Sequence, residues 1–159
     1  MKINNIPSLV YSILICQLAG IIGSFFTFPS IPTWYAALEK PSFSPPNWLF
    51  SPVWIALFLL MGVSLYLVWI SGAKTRYVKM ALTLFGIQLA LNVLWSIIFF
   101  GLKSPFYAFI EMAILWVAIL LTIFQFFKIS KTAAYLLIPY ILWVSFAAVL
   151  NFSIWIINL

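Results

Sequence analysis

Apolar residues fill five long runs of this chain, near 7–28, 48–71, 78–101, 105–127 and 132–157, and polar residues gather in the gaps between them. A helix needs about 20 apolar residues to cross the hydrocarbon of a bilayer, so each run predicts one transmembrane helix. The gaps near 72–77, 102–104 and 128–131 are short, which makes sequential helices neighbours in a compact bundle. Only the segment from 29 to 47 is long. From Trp34 to Trp54 the chain reads W-Y-A-A-L-E-K-P-S-F-S-P-P-N-W-L-F-S-P-V-W, a proline-locked stretch whose backbone cannot face lipid unpaired. It reads as a shaped lid. The expected fold is all-α, an integral membrane protein with a single domain over 1–159: a compact bundle of five transmembrane helices with a long Pro-rich loop between helices 1 and 2.

Helical periodicity sorts the polar and aromatic residues inside these runs. In the third, Gln88, Asn92, Trp95 and Phe99 recur at i, i+4, i+7 and i+11, which places two amides and two aromatics on one face. Amides in hydrocarbon must turn toward protein or water. The second run repeats the pattern with Trp54, Phe58, Met61 and Leu65, and the fifth with Tyr140, Trp143, Ala147 and Asn151. Two outcomes satisfy such faces. Either the amides are packing glue in a filled core, or the faces converge on a mostly apolar pocket whose few polar groups orient a ligand.

Composition narrows the chemistry. Sixty-six percent of the residues are hydrophobic, and the chain has eight basic and two acidic residues, no histidine and one cysteine. A Ser-His-Asp triad, a His/Cys metal site and a carboxylate relay cannot be assembled from that set, and no Gly-rich phosphate loop is present. Cys16 allows no internal disulfide and reads as a packing residue. The net charge of +6 is not a nucleic-acid footprint, because its placement is that of a membrane protein. Lys2, Lys74, Arg76, Lys79, Lys128 and Lys131 fall on one side and Lys40 and Lys103 on the other, so the positive-inside rule puts the N-terminus in the cytoplasm. The first run follows Lys2 without a small-x-small cleavage site, so it reads as retained. Glu111 lies two turns into the fourth run, where it needs a proton, Lys103 or a bundle amide. Gly86 and Ala90 form a small-xxx-small pair nearly opposite Gln88 and Asn92, a face that permits close approach of a second subunit.

Three segments together carry a family resemblance: W-Y-A-A-L-E-K-P-S-F-S-P-P-N-W with P-V-W and M-G after it, Q-L-A-L-N-V-L-W-S-I-I-F-F-G, and A-A-Y-L-L-I-P-Y-I-L-W-V-S-F-A-A-V-L-N. In order and spacing they resemble the TspO/MBR family, which includes bacterial tryptophan-rich sensory proteins and the mitochondrial translocator protein. The resemblance implies a receptor or sensor that binds porphyrins such as protoporphyrin IX or haem, and related flat hydrophobic ligands, with a role in tetrapyrrole handling or transport. It points to a bacterial cell membrane and no required cofactor, and it adds to the small-residue argument for a homodimer through Gly86 and Ala90. The composition already argues against a metal site and the charge placement against a nucleic-acid partner. Carried over by position, Tyr35, Pro45 and Pro46 belong to the lid, while Trp54, Asn92, Trp95, Trp143 and Ala147 line the pocket, with Phe58 and Phe99 beside them on the same faces. Some relatives destroy protoporphyrin in light and oxygen, and this keeps open a porphyrin-degrading enzyme that uses Trp54 and Trp143 as redox partners. A membrane scaffold without a ligand is the third alternative.

The chain departs from the family pattern in two places. Phe43 stands where the family usually has Trp after K-P-S, which keeps an aromatic surface and loses an indole donor. Phe152 and Ile156 replace the Tyr and the basic residue of the sterol-recognition pattern of animal members, so specific cholesterol binding is not expected.

Overall fold

The computed structural model describes residues 5–71 and 76–159, and Lys2 and Lys74 of the charge argument lie outside the described residues. Five helices are long and apolar enough to cross a membrane: α1 (Ile6–Tyr35), α2 (Asn47–Ile70), α3 (Arg76–Gly101), α4 (Pro105–Ile129) and α5 (Lys131–Ile157). Among the described residues there are no strands. The boundaries have local causes. Asn5 Oδ1 accepts the Ser8 N–H at 3.3 Å to cap α1, Pro105 starts α4 where a missing N–H costs nothing, and Ser130 Oγ accepts the Ala133 N–H at 3.3 Å to start α5. Lys103 turns the chain between α3 and α4 with a φ of 53°, a left-handed conformation that an L side chain rarely adopts.

The connection between α1 and α2 is shorter than expected. Helix continues through Pro29 and Pro32 to residue 37, and only residues 38–46 are non-helical. Proline fixes φ at about −65°, which is compatible with a helix, and its cost is one lost backbone bond. In a bilayer a helix remains the cheapest way to satisfy the rest of the backbone. The chain absorbs Pro32 in a wide π turn over Ile31–Tyr35, and Thr33 Oγ1 donates to the Pro29 carbonyl at 2.8 Å. A second π turn, Ile97–Gly101, closes α3. The two turns face each other: Ser30 Oγ donates to the Phe100 carbonyl at 2.9 Å.

Helix α1 packs on α2 and α3, α3 on α4, α4 on α5, and α5 on α2, giving a ring in the order α1–α2–α5–α4–α3. Although consecutive, α2 and α3 touch only lightly across this ring. Close backbone approach explains α1 beside α2, because a Cβ on Gly62 would sit 2.6 Å from Ile13 Cα. A buried hydrogen bond at 2.7 Å from Ser64 Oγ to the Ala133 carbonyl joins α2 to α5. Arg76, Lys79, Lys128 and Lys131 lie at the end of the bundle where α3 and α5 begin; Lys40 and Lys103 lie at the other. The deep core is apolar and includes Met61, Tyr66, Phe85, Leu115, Phe126 and Tyr140, each 2% exposed or less.

Candidate functional site

A cavity of about 310 Å³ lies inside the ring, in the half nearer the end that carries Lys40 and Lys103. It is walled by α1, α2, α3 and α5, and no residue of α4 borders it. Among the described residues its lining has no charged side chain.

Of the residues singled out from the sequence, Tyr35, Trp54, Phe58, Asn92, Trp95, Phe99, Trp143 and Ala147 all border this one cavity. Pro45 and Pro46 stand in the connection beside it and do not line it. Pro46 instead precedes the first residue of α2, and Asn47 reaches the lining in its place. The predicted faces continue past the cavity floor. Gln88 is fully buried beyond it with neither end of its amide paired, and Met61 and Leu65 belong to the core. Tyr140 also lies below, where its hydroxyl accepts the Asn92 Nδ2 hydrogen bond at 3.0 Å. Asn92 is therefore both interhelical glue and cavity wall.

The aromatic walls brace one another. Trp54 and Phe58 lie 5.5 Å apart at 30°, and Trp95 stacks on Phe99 at 5.1 Å and 22°. Tyr35 is wedged against Phe99 and Phe100, and the Lys40 ammonium sits 4.7 Å above its ring. Trp143 packs between Phe50 and Phe146, with centroids at 5.9 and 5.4 Å. Rings packed against one another, stacked, tilted or edge to face, have few rotamers left, so the walls are preformed. The indole N–H groups differ. Trp95 Nε1 donates to Asn151 Oδ1 at 3.1 Å, whereas Trp143 Nε1 is buried against protein and has no partner among the described residues.

The wall that α1 contributes was not foreseen. Gly20, Gly23, Ser24 and Thr27 border the cavity at i, i+3, i+4 and i+7. The signal was a face of small residues. Its smallness is needed, since a Cβ on Gly20 would meet the Phe58 ring at 2.6 Å. Ile21, Phe28 and Ile55 border the cavity and are also exposed on the outside of the bundle, so the cavity edge reaches the lipid-facing surface between α1 and α2.

Three other candidates lie away from the cavity. Gly86 and Ala90 are exposed on the outer face of α3, and nothing lies within 4 Å of where a Cβ on Gly86 would be. Glu111 is buried, and among the described residues neither carboxyl oxygen has a hydrogen-bond partner, so it pairs neither with Lys103 nor with an amide of the described bundle. Phe152 and Ile156 face outward, Phe152 packing against Phe109 and Trp155.

The TspO/MBR family matches residues 12–156. The chain is 47% identical over 155 residues to the tryptophan-rich protein TspO of Archaeoglobus fulgidus, covering 97% of this chain and 99% of that protein. It is 38% identical over 140 residues to the translocator protein of Homo sapiens, covering 87% and 83%. It is 34% identical over 120 residues to the tryptophan-rich sensory protein of Cereibacter sphaeroides, covering 76% and 73%.

Proposed function

The chain belongs to the TspO/MBR family, and on that premise we propose that it is a membrane receptor or sensor that binds porphyrins, protoporphyrin IX or haem, in the cavity between α1, α2, α3 and α5. The observation that carries this reading is the cavity itself: about 310 Å³ walled by Trp54, Trp95 and Trp143 and, among the described residues, free of charged side chains. Ligand sites usually begin near that volume, with apolar and aromatic walls and a few polar groups. A flat macrocycle fits such chemistry by stacking, with Asn92 among the few polar groups of the lining that orient it. Tyr35, Pro45 and Pro46 form the cover at the mouth. The names of relatives, translocator protein and tryptophan-rich sensory protein, support transport or sensing of the bound pigment.

In this reading the protein sits in a bacterial cell membrane with its N-terminus in the cytoplasm, supported by the clustering of Arg76, Lys79, Lys128 and Lys131 at one end. It pairs as a homodimer through the small outer face at Gly86 and Ala90. The protein needs no cofactor of its own.

A single titration tests the function. Protoporphyrin IX is added to purified protein in darkness and then in light with oxygen present. Saturable stoichiometric binding with an unchanged Soret band supports the receptor. Catalytic loss of the Soret band with porphyrin in excess supports a degrading enzyme in which Trp54 and Trp143 exchange electrons with the pigment, which then carries the reactivity. Failure to bind in either condition leaves a scaffold.

A further inference from the structure

Asn158, the first residue beyond α5, spends its whole side-chain amide on three contacts. Its Oδ1 accepts the Glu39 N–H at 3.0 Å, and its Nδ2 donates to the Glu39 carbonyl at 2.9 Å and to the Ile154 carbonyl at 2.8 Å. Both backbone groups of Glu39 are thus held by one side chain 119 positions away, as a neighbouring strand would hold them. The two anchor points belong to opposite walls of the mouth. Glu39 follows the end of α1, one turn after Tyr35, and Ile154 is on α5; Tyr35 and Ile154 both line the cavity. A second contact crosses the same gap, where Phe43 meets Phe146 of α5 edge to face at 6.4 Å.

We propose that Asn158 is a clasp that keeps the water-facing end of the cavity shut and so sets how fast a ligand exchanges through that end. Asn158 does not border the cavity. It acts by positioning the 38–46 connection, and its effect belongs on rates more than on equilibrium affinity. The pairing of this role with porphyrin exchange rests on the function proposed above, but closure toward water does not. Loss of two or three exposed hydrogen bonds, each of modest net strength, should speed opening on the order of tenfold.

The experiment compares wild type, Asn158→Ala, and a double variant Glu39→Cys/Asn158→Cys joined by a short bis-maleimide. The first readout is collisional quenching of tryptophan fluorescence by acrylamide, which needs no ligand. With exposed Trp48 and Trp69 replaced by Phe in every protein compared, a rise in Asn158→Ala and a fall in the cross-linked protein report the pocket indoles. The second readout is protoporphyrin IX exchange by stopped flow. Association and dissociation should both quicken about tenfold in Asn158→Ala, with affinity changed far less, and both should slow on cross-linking. Unchanged quenching in Asn158→Ala overturns the clasp whether or not porphyrin binds. Bound porphyrin whose exchange rates ignore both variants also overturns it, and moves the route to the lipid-facing edge between α1 and α2. Absence of porphyrin binding defeats the porphyrin reading alone, and quenching then decides.

Discussion

Trp95 and Asn151 are joined across the ring by the indole N–H of one and the amide oxygen of the other, 3.1 Å apart. The other end of Asn151 donates to the Pro105 carbonyl at 2.8 Å, so one amide ties α3, α5 and the start of α4 together. Interhelical hydrogen bonds in membranes contribute about 1 kcal/mol each. Asn151→Leu should therefore lower stability by about 1–2 kcal/mol, and freeing the Trp95 ring should also weaken porphyrin binding. Thermal unfolding in detergent alongside a binding titration checks both, and a stability equal to wild type would contradict the bracing role.

Removing a ring from the wall should show directly in affinity. Trp54→Ala and Trp143→Ala should each weaken protoporphyrin IX binding by about 1–3 kcal/mol, taking base-on-aromatic stacking as the analogue. If both folded variants bind as tightly as wild type, porphyrin does not occupy this cavity.

Asn92 has two duties that two variants can separate. Asn92→Leu should weaken ligand binding and also cost about 1 kcal/mol of stability, because the buried Tyr140 hydroxyl loses its partner. Tyr140→Phe removes the same bond from beneath the cavity, so it should lower stability with little change in affinity. Equal losses of affinity in the two variants would show that Asn92 acts only through Tyr140.

At Gly62 the constraint is backbone against backbone. A side chain there would sit 2.6 Å from Ile13 Cα, and no rotamer change can relieve it. Gly62→Ala must push α1 from α2, a strain expected to cost about 1–3 kcal/mol. Gly86→Ala, with nothing near its Cβ position inside the subunit, should be neutral or slightly stabilising when both proteins are compared as monomers in detergent. Melting temperatures of the pair should diverge, and a Gly62→Ala variant as stable as Gly86→Ala would refute the packing argument.

The outer face of α3 can be tested without disturbing the cavity. Gly86→Leu or Ala90→Leu should shift the protein toward monomer and leave porphyrin affinity within about twofold, since Asn92 and Trp95 point the opposite way. Cross-linking or mass photometry in nanodiscs reports the state. A wild type that is monomeric at high protein-to-lipid ratio rules the dimer out.

How much of this was legible depended on which residues carry a signal. Bilayer thickness made the five spans readable from length alone. The cavity faces of α2, α3 and α5 were readable because Trp54, Asn92, Trp95 and Trp143 recur at helical spacing. The α1 wall was not, since Gly20 and Gly23 act by what they omit. The 29–47 segment read as one long loop because the first apolar run ends near 28, yet lipid makes a helix through Pro29 and Pro32 cheaper than unpaired backbone. Periodicity says which way a helix faces but not which helix it meets, so the pairing of α2 with α5 and the floor at Gln88 emerged only in three dimensions.

The π turns over Ile31–Tyr35 and Ile97–Gly101 bear on how the length of this chain can vary. Such a turn holds one residue more than the α-helical path needs, looped out locally while the helix on either side keeps its direction. Deleting Thr33 would let the first turn relax to α-helix with its flanks still aimed as before. The same deletion at Ala90, inside the regular part of α3, would swing every later side chain by about 100° and carry Asn92 and Trp95 off the cavity. Within the helices, insertions and deletions of a single residue among relatives should therefore collect at these two turns and be absent from the regular α-helical segments.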